Sequence, residues 1–281
     1  MIPVLRPVTA PANLWRRAAL GPASAPIRRP FAPGLHMLLA LDQEHLRVYL
    51  TPAHLERWGV GVEVAWHHAL ENLHPTEGLR QREDGSFVLE SPDGLASSRL
   101  CLPGWLASFR GQLPDEPLAA VPCGRRLIVG TTRLYGEAEA LFRGEGEPIS
   151  PCLYQAAVST EPPFGAVALW EGGLPGSNAL RWFRQRLYSE LQERLEEAGR
   201  RLAPYRVHRR LRDGRCLSFA PLLPGALYPE VDLLMLPGDR PLLWEELPEG
   251  AARPLPGGDL PLWEIDETRL PPPEPKTGQA P

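Results

Sequence analysis

Lysine is nearly absent from this chain. Lys276 is the only one, and arginine supplies the rest of the basic charge. Cysteine is sparse as well: Cys101, Cys123, Cys152 and Cys216 stand far apart. That spacing excludes a zinc-type Cys pair. Apolar neighbours surround most of these thiols, as around buried free cysteines, and a reducing cytoplasm is the expected compartment. No apolar run reaches the ~18 residues that a membrane span requires. After Arg16 and Arg17 the chain is interrupted by Gly21, Pro22 and Pro26, so no apolar signal-peptide region forms. The sequence also lacks a His-Glu-x-x-His motif, a G-x-S-x-G elbow, a P-loop lysine and G-x-G-x-x-G spacing. Asp and Glu are scattered, and no two stand out as a catalytic pair. No metal and no cofactor is called for.

What is present suffices for a core. With 281 residues, 43% hydrophobic and 23% charged, the chain suits one or two globular domains. Proline, at 34 residues, is about twice its usual share and gathers in connections and at both ends. The net charge of −4 argues against a dedicated nucleic-acid binder. Charge is unevenly spread, however. Arg206, Arg209, Arg210, Arg212 and Arg215 face only Asp213 in their segment, while the stretch from Leu227 to Glu274 is strongly acidic. Such runs usually mark solvated faces. An acidic protein partner is the sharper reading.

Four segments are expected. Residues 1–33, rich in Pro and Ala, read as an extended arm with one short helix over Asn13–Leu20. Residues 34–143 read as an α+β domain. It has strands at Gly34–Leu41 and Leu46–Leu50, then a helix capped by Thr51 with Pro52 at its first position and ending at Gly59. A second helix over Gly61–Leu73 aligns Val62, Trp66, Ala69, Leu70 and Leu73 on one face. Asp84-Gly85 suits a type I′ hairpin turn, Pro103–Gln112 a short helix, and Pro122-Cys123-Gly124 a turn between Leu118–Val121 and Leu127–Val129. The Gly, Glu and Pro cluster from Gly144 to Pro151 reads as a boundary. Residues 152–267 read as a second, smaller α+β domain. In it, a helix starting near Ser177 carries Leu180, Phe183, Leu187, Leu191 and Leu195 as an apolar stripe. Burying that stripe is worth on the order of 10 kcal/mol gross. A hairpin turning at Asp213-Gly214 and a strand at Val231–Leu236 follow. Beyond Pro237 only Leu242-Leu243-Trp244 and Leu262-Trp263 look anchored, and residues 268–281 read as a disordered tail.

Several constellations carry chemistry in principle. Glu63, His67 and Glu71 repeat at four-residue spacing, a two-point metal geometry, but on the helix face opposite Trp66, where solvated charge is the simpler account. His36, His45 and His54, nine apart, match no regular geometry. Gly172, Gly173 and Gly176 precede a helix, a weak anion-binding pattern without its lysine. Ser97, Ser98 and Cys123 are the nucleophiles near turns. The alternation around Arg206, Arg210 and Arg212 predicts a strand with one basic face, which guards an edge against aggregation or meets an acidic partner or the chain's own acidic C-terminal part.

The segments IPVLRP (Ile2–Pro7), MLLALD with LRVYLTPAHLERWGV (Met37–Val60), ALENL (Ala69–Leu73), SSRL (Ser97–Leu100) and LAAVPCGRRLIVG (Leu118–Gly130) come in the order seen in a bacterial family. Over about the first 135 residues the chain resembles the later half of the domain of unknown function 1444 family. The resemblance implies a fold and no mechanism. Where the family follows its hairpin proline with Arg-Asp, this chain has Cys123-Gly124-Arg125-Arg126 after Pro122. The expectation is therefore an α+β protein, its first domain a mixed, mostly antiparallel sheet with helices on one face. Its expected role is a non-catalytic binding or protein-interaction module. The alternative is a hydrolase-type enzyme assembled in three dimensions around Ser98, Arg99 and Arg125.

Overall fold

The chain is α+β. The computed structural model describes residues 1–7, 25–32, 34–43, 46–74, 76–142, 149–156, 167–170, 173–255 and 260–271. Two compact units divide it, Met1–Phe183 and Arg184–Pro281.

In the first unit, Leu35–Gln43 (β3) is the centre of a four-stranded antiparallel sheet. Leu35 to Ala40 are buried without alternation, as in a strand covered on both faces. Ile2–Pro7 (β1) pairs with it, placing Ile2 opposite Ala40 and Pro7 opposite Leu35. Arg28–Ala32 (β2) and Leu46–Tyr49 (β4) also pair with β3. The residues expected as an arm thus supply two strands. The reason lies in Ile2 and Val4, which pack with Ala40 and Leu95 in one cluster. Pro3 and Pro7 are tolerated because β1 ends the sheet and its outer N–H groups have no ladder to serve. The helix expected over residues 13–20 lies outside the described residues.

Pro52–Trp58 (α1) and Val62–Glu71 (α2) follow. The Thr51 amide donates to His54 Nδ1 at 3.1 Å, and Gly59 closes α1 at φ 66°, where L side chains are strained. Helix α2 packs on β1 and β3. Ala65, Trp66, Ala69 and Leu70 are buried, whereas Val62, expected on that face, is exposed in the first turn.

A six-stranded antiparallel sheet forms the rest of this unit, so the first domain holds two sheets where one was expected. Its order is Val167–Leu169 (β10), Leu153–Ala156 (β9), Leu118–Cys123 (β7), Arg126–Gly130 (β8), Phe87–Glu90 (β6) and Leu79–Gln81 (β5). Leu134–Phe142 (α3) covers one face, where Leu134 and Ala138 meet Val88, Leu118, Ala120, Ile128 and Leu153. On the alternate side of β6, Phe87 meets Phe109 with ring centroids 5.0 Å apart. Phe109 comes from a 3-10 turn, Leu106–Phe109, in place of the expected helix. The boundary expected at residues 144–151 does not separate two sheets. Leu153, Tyr154 and Gln155 pair with Ala120, Ala119 and Leu118 across that gap.

Both Asp-Gly turns are longer than expected. In the β5–β6 hairpin only Gly85 has positive φ, so no type I′ turn forms. Arg82 N–H donates to Ser86 O, and Gly85 N–H donates back to Arg82 O. The Asp84 side chain holds the turn by accepting from the Ser86 hydroxyl and amide, and those bonds keep its carboxyl below the usual range.

The helix Gly173–Glu197 (α4) runs through the division between units. It begins four residues before Ser177, so the glycines at 173 and 176 are helical and do not form a loop; Gly172 lies outside the described residues. Gly199 ends it in a left-handed conformation, with Arg200 N–H donating to Leu195 O. Phe183 and Leu187 are buried, but Leu180, Leu191 and Leu195 are only half-buried. The stripe therefore contributes about 3–6 kcal/mol gross from its two buried members.

In the second unit, Arg206–Arg209 (β11), Cys216–Pro221 (β12), Leu233–Leu236 (β14) and Arg240–Leu243 (β15) form one sheet. The β12–β14 pairing is parallel. Asp232 enters β14 bound to Ser218, accepting from its amide at 2.6 Å and its hydroxyl at 2.7 Å. Leu227–Pro229 (β13), Ala252–Pro254 (β16) and Leu262–Ile265 (β17) make a second sheet. The region beyond Pro237 is thus more ordered than its Pro and Gly content predicts. Tyr188 of α4 stacks on Tyr205 at 5.2 Å and donates to Pro261 O at 2.8 Å. The expected tail at 268–281 begins too early: Thr268 and Arg269 belong to a 3-10 turn in which Asp266 accepts from the Thr268 amide, and only the part from residue 272 onward lies outside the described residues.

Candidate functional site

The six sequence-predicted site residues fall into three places. Ser98 and Arg99 lie in a 3-10 helix, Ala96–Cys101, every residue of which is buried. Ser98 is fully buried, and its hydroxyl, like that of Ser97, makes no hydrogen bond. The Arg99 side chain donates to His74 O at 3.1 Å and to Leu95 O at 3.0 Å, so it ties two loops together. Both residues therefore act as packing and bracing elements, away from solvent.

Arg125 is exposed. It sits with Gly124 in the two-residue β7–β8 turn, one residue beyond the expected position, because Pro122 and Cys123 still belong to β7. The turn is held from outside: Ser97 N–H donates to Gly124 O, and Ser91 N–H donates to Arg125 O. A Cβ on Gly124 would stand 2.9 Å from Gly94 O, so this close approach requires glycine. The turn lines a surface cleft of about 460 Å³ with Glu90, Pro92, Cys123, Arg126 and Leu141. Neither Ser98 nor Arg99 lines it. The trio expected around a hydrolase site is thus divided between core and surface. Cys123 is the only one of the four free thiols that is not buried.

The third place is the β11–β12 hairpin, where the geometry differs most from expectation. β11 stops at Arg209, and Arg210 N–H donates to Arg215 O at 2.8 Å. Leu211, Arg212, Asp213 and Gly214 form a four-residue loop closed by Gly214 N–H donating to Arg210 O. Leu211 and Arg212 therefore stand on the apex and not on alternate strand faces. Leu211 is 98% exposed. Arg210 binds Asp213, which also accepts from the Arg215 amide at 3.1 Å, and the Arg210 guanidinium keeps the Asp213 carboxyl below its usual range. Among the described residues Arg206, Arg209, Arg212 and Arg215, all exposed, form no salt bridge, although the Arg215 charge also helps hold the Asp213 carboxyl down. β11 is also the outer strand of its sheet.

Comparison with protein-family models, curated proteins and solved structures finds no match.

The remaining polar clusters have internal partners. His67 and His68 both contact Glu71, at 3.1 and 3.0 Å, and Glu63 pairs with Arg29, so the side chains of the face weighed for metal binding already have protein partners. His36 is buried beside Arg28, His54 caps α1, and His45 lies outside the described residues. A second cleft, of about 490 Å³, lies between the end of α4 and β13–β17, with Arg200, Arg201 and Glu264 on its rim. Strand alternation put Arg209 on the face opposite Arg206, Arg210 and Arg212 and left Arg215 out of the candidate set, although both belong to the Arg-rich segment. A four-residue loop drawn around Asp213 would have placed Arg212 at the apex, with Arg210 and Arg215 at its base.

Proposed function

We propose that the protein is a non-catalytic binding module that docks an acidic protein segment on the β11–β12 hairpin tip. One observation carries this reading: exposed Arg209, Arg212 and Arg215, which form no salt bridge among the described residues, flank Leu211 in the hairpin, and Leu211 is 98% exposed. An edge strand needs one or two charges to block sheet extension, and an apolar apex adds nothing to that protection. A partner that buried Leu211 would recover roughly 2 kcal/mol. Arg is enriched at interface hot spots because its fork binds carboxylates bidentately. A net charge of −4 opposes a long polyanion such as nucleic acid at long range, whereas a short acidic segment meets mainly the local field.

Two coarser readings belong with this one. The four free cysteines support a reducing, cytoplasmic setting; no helix among the described residues is long and apolar enough to cross a membrane. Kinship with the domain of unknown function 1444 family rests on the quoted segments alone, of which Ile2–Pro7 pairs with the strand that contains MLLALD.

The test is fluorescence anisotropy with a labelled Asp/Glu-rich peptide carrying one central Phe. The expected result is saturable binding, weakened at least tenfold by Arg209→Ser with Arg212→Ser and separately by Leu211→Ser. Equal affinity for the peptide in all three proteins, or preference for duplex DNA over the peptide, would overturn the proposal.

A further inference from the structure

The β7–β8 turn holds a second feature that the hairpin reading does not use. Its cleft has an asymmetric charge pattern. Glu90 is its one carboxylate and is neutralised by two guanidiniums, those of Arg80 and Arg126. Ser91 is committed to Asp93. Arg125 alone is left with no carboxylate or carbonyl partner among the described residues. Pro92 and Leu141 supply an apolar wall, and the half-exposed Cys123 lies in the same lining. The turn that presents these groups is not loose. Its two carbonyls accept from Ser97 and Ser91, and Gly124 is locked against Gly94. A guanidinium on a braced turn, next to an apolar wall in a cleft of about 460 Å³, suits a small ligand with one anionic group and a short apolar body.

We infer that this cleft is a binding site for such a small organic anion, with Arg125 as the cation that fixes its carboxylate or phosphate. The site is independent of the hairpin and stands or falls without it.

Cys123 provides the probe. The other three thiols are buried, so alkylation of the native protein reports on this cleft. Iodoacetate carries a carboxylate and iodoacetamide does not, and both form the same thioether bond with loss of iodide. The ratio of their rates at Cys123 therefore reads attraction of the anion. Any change in ionisation of the thiol affects both reagents alike and cancels. The ratio is expected to fall about fivefold in Arg125→Gln, the factor of one unit charge at about 4 Å in water, and to be largely kept in Arg125→Lys. Benzoate and phenyl phosphate, added separately, should slow the iodoacetamide reaction in the wild type and not in Arg125→Gln. The stronger protector tells whether carboxylate or phosphate is preferred. An unchanged ratio in Arg125→Gln, protection by neither anion, or a Cys123 inert to both reagents would overturn the inference. Arg125 has no side-chain partner among the described residues, so Arg125→Gln should keep the wild-type melting curve, which separates this result from a folding defect.

Discussion

Replacing Tyr154 with Ala separates the observed architecture from the one its sequence suggested. Tyr154 lies beyond the proline- and glycine-rich stretch that reads as a domain boundary, yet it sits opposite Ala119 in the six-stranded sheet and is fully buried. Its hydroxyl donates to Ser150 Oγ at 2.7 Å, and burial raises its pKa well above the ordinary tyrosine value. Truncating a buried aromatic costs about 3–5 kcal/mol through lost transfer energy and the remaining cavity. Ser150 keeps one partner, the Cys152 amide at 3.1 Å, so little is added for an orphaned hydroxyl. At about 1.4 kcal/mol per tenfold, the opening equilibrium of the sheet should rise between about a hundredfold and a few thousandfold. Hydrogen exchange with peptide resolution reads this directly. Amides in Leu118–Val121 and Leu127–Val129 should lose protection by that factor, while those in Leu233–Leu236 keep it. Loss confined to Tyr205–Leu236, with Leu118–Val121 unaffected, would refute the pairing of β9 with β7.

Four further outcomes follow. Leu187→Asp places a charge at a site that is 1% exposed and should abolish the cooperative unfolding of the second unit, read by circular dichroism. Ser98→Ala removes a buried hydroxyl that makes no hydrogen bond, so stability in urea should stay level or rise by up to about 1 kcal/mol; a loss of more than about 2 kcal/mol would show a missed partner. Gly124→Ala must displace the Gly94 carbonyl, at a cost of about 1–3 kcal/mol in denaturant titration. Tyr228 is pushed up to about 12 by burial, its hydroxyl accepting from Leu223 N–H and donating to Leu223 O. The unfolded tyrosine ionises near pH 10, so between pH 10 and 12 the folded state holds the extra proton and stability falls as pH rises. Tyr228→Phe should be less stable at pH 8 yet lose less of its stability over that window.

Much of the fold was legible because local chemistry and tertiary packing agree. The Thr51-Pro52 start and the Gly59 stop bound α1 as read. The runs at Leu35–Ala40, apolar but for His36, and Leu127–Val129 are buried at every position, as in strands covered on both faces, and both are too short for a buried helix. The failures have a common origin in long-range pairing. Ile2 and Val4 look like part of a proline-rich arm until β3 provides a partner, and Leu153 and Tyr154 look like a new domain until β7 does. Neither partner can be named from periodicity. Turn length was a second blind spot: Asp-Gly alone does not say whether two residues or four make the loop, and that choice moved Leu211 and Arg212 from strand faces to an apex. For the candidate site, residue type was informative and accessibility was not. Ser98, Arg99 and Arg125 are equally polar in sequence, but two are buried and one is exposed.

Amide chemical-shift mapping tests the central claim most directly. The ¹⁵N-labelled protein is titrated with the Asp/Glu-rich peptide at low salt. Saturable shifts are expected, concentrated in Arg206–Cys216, largest about Leu211, and lost in Arg209→Ser with Arg212→Ser. Shifts that leave this hairpin unaffected, or that survive those substitutions unchanged, would contradict it.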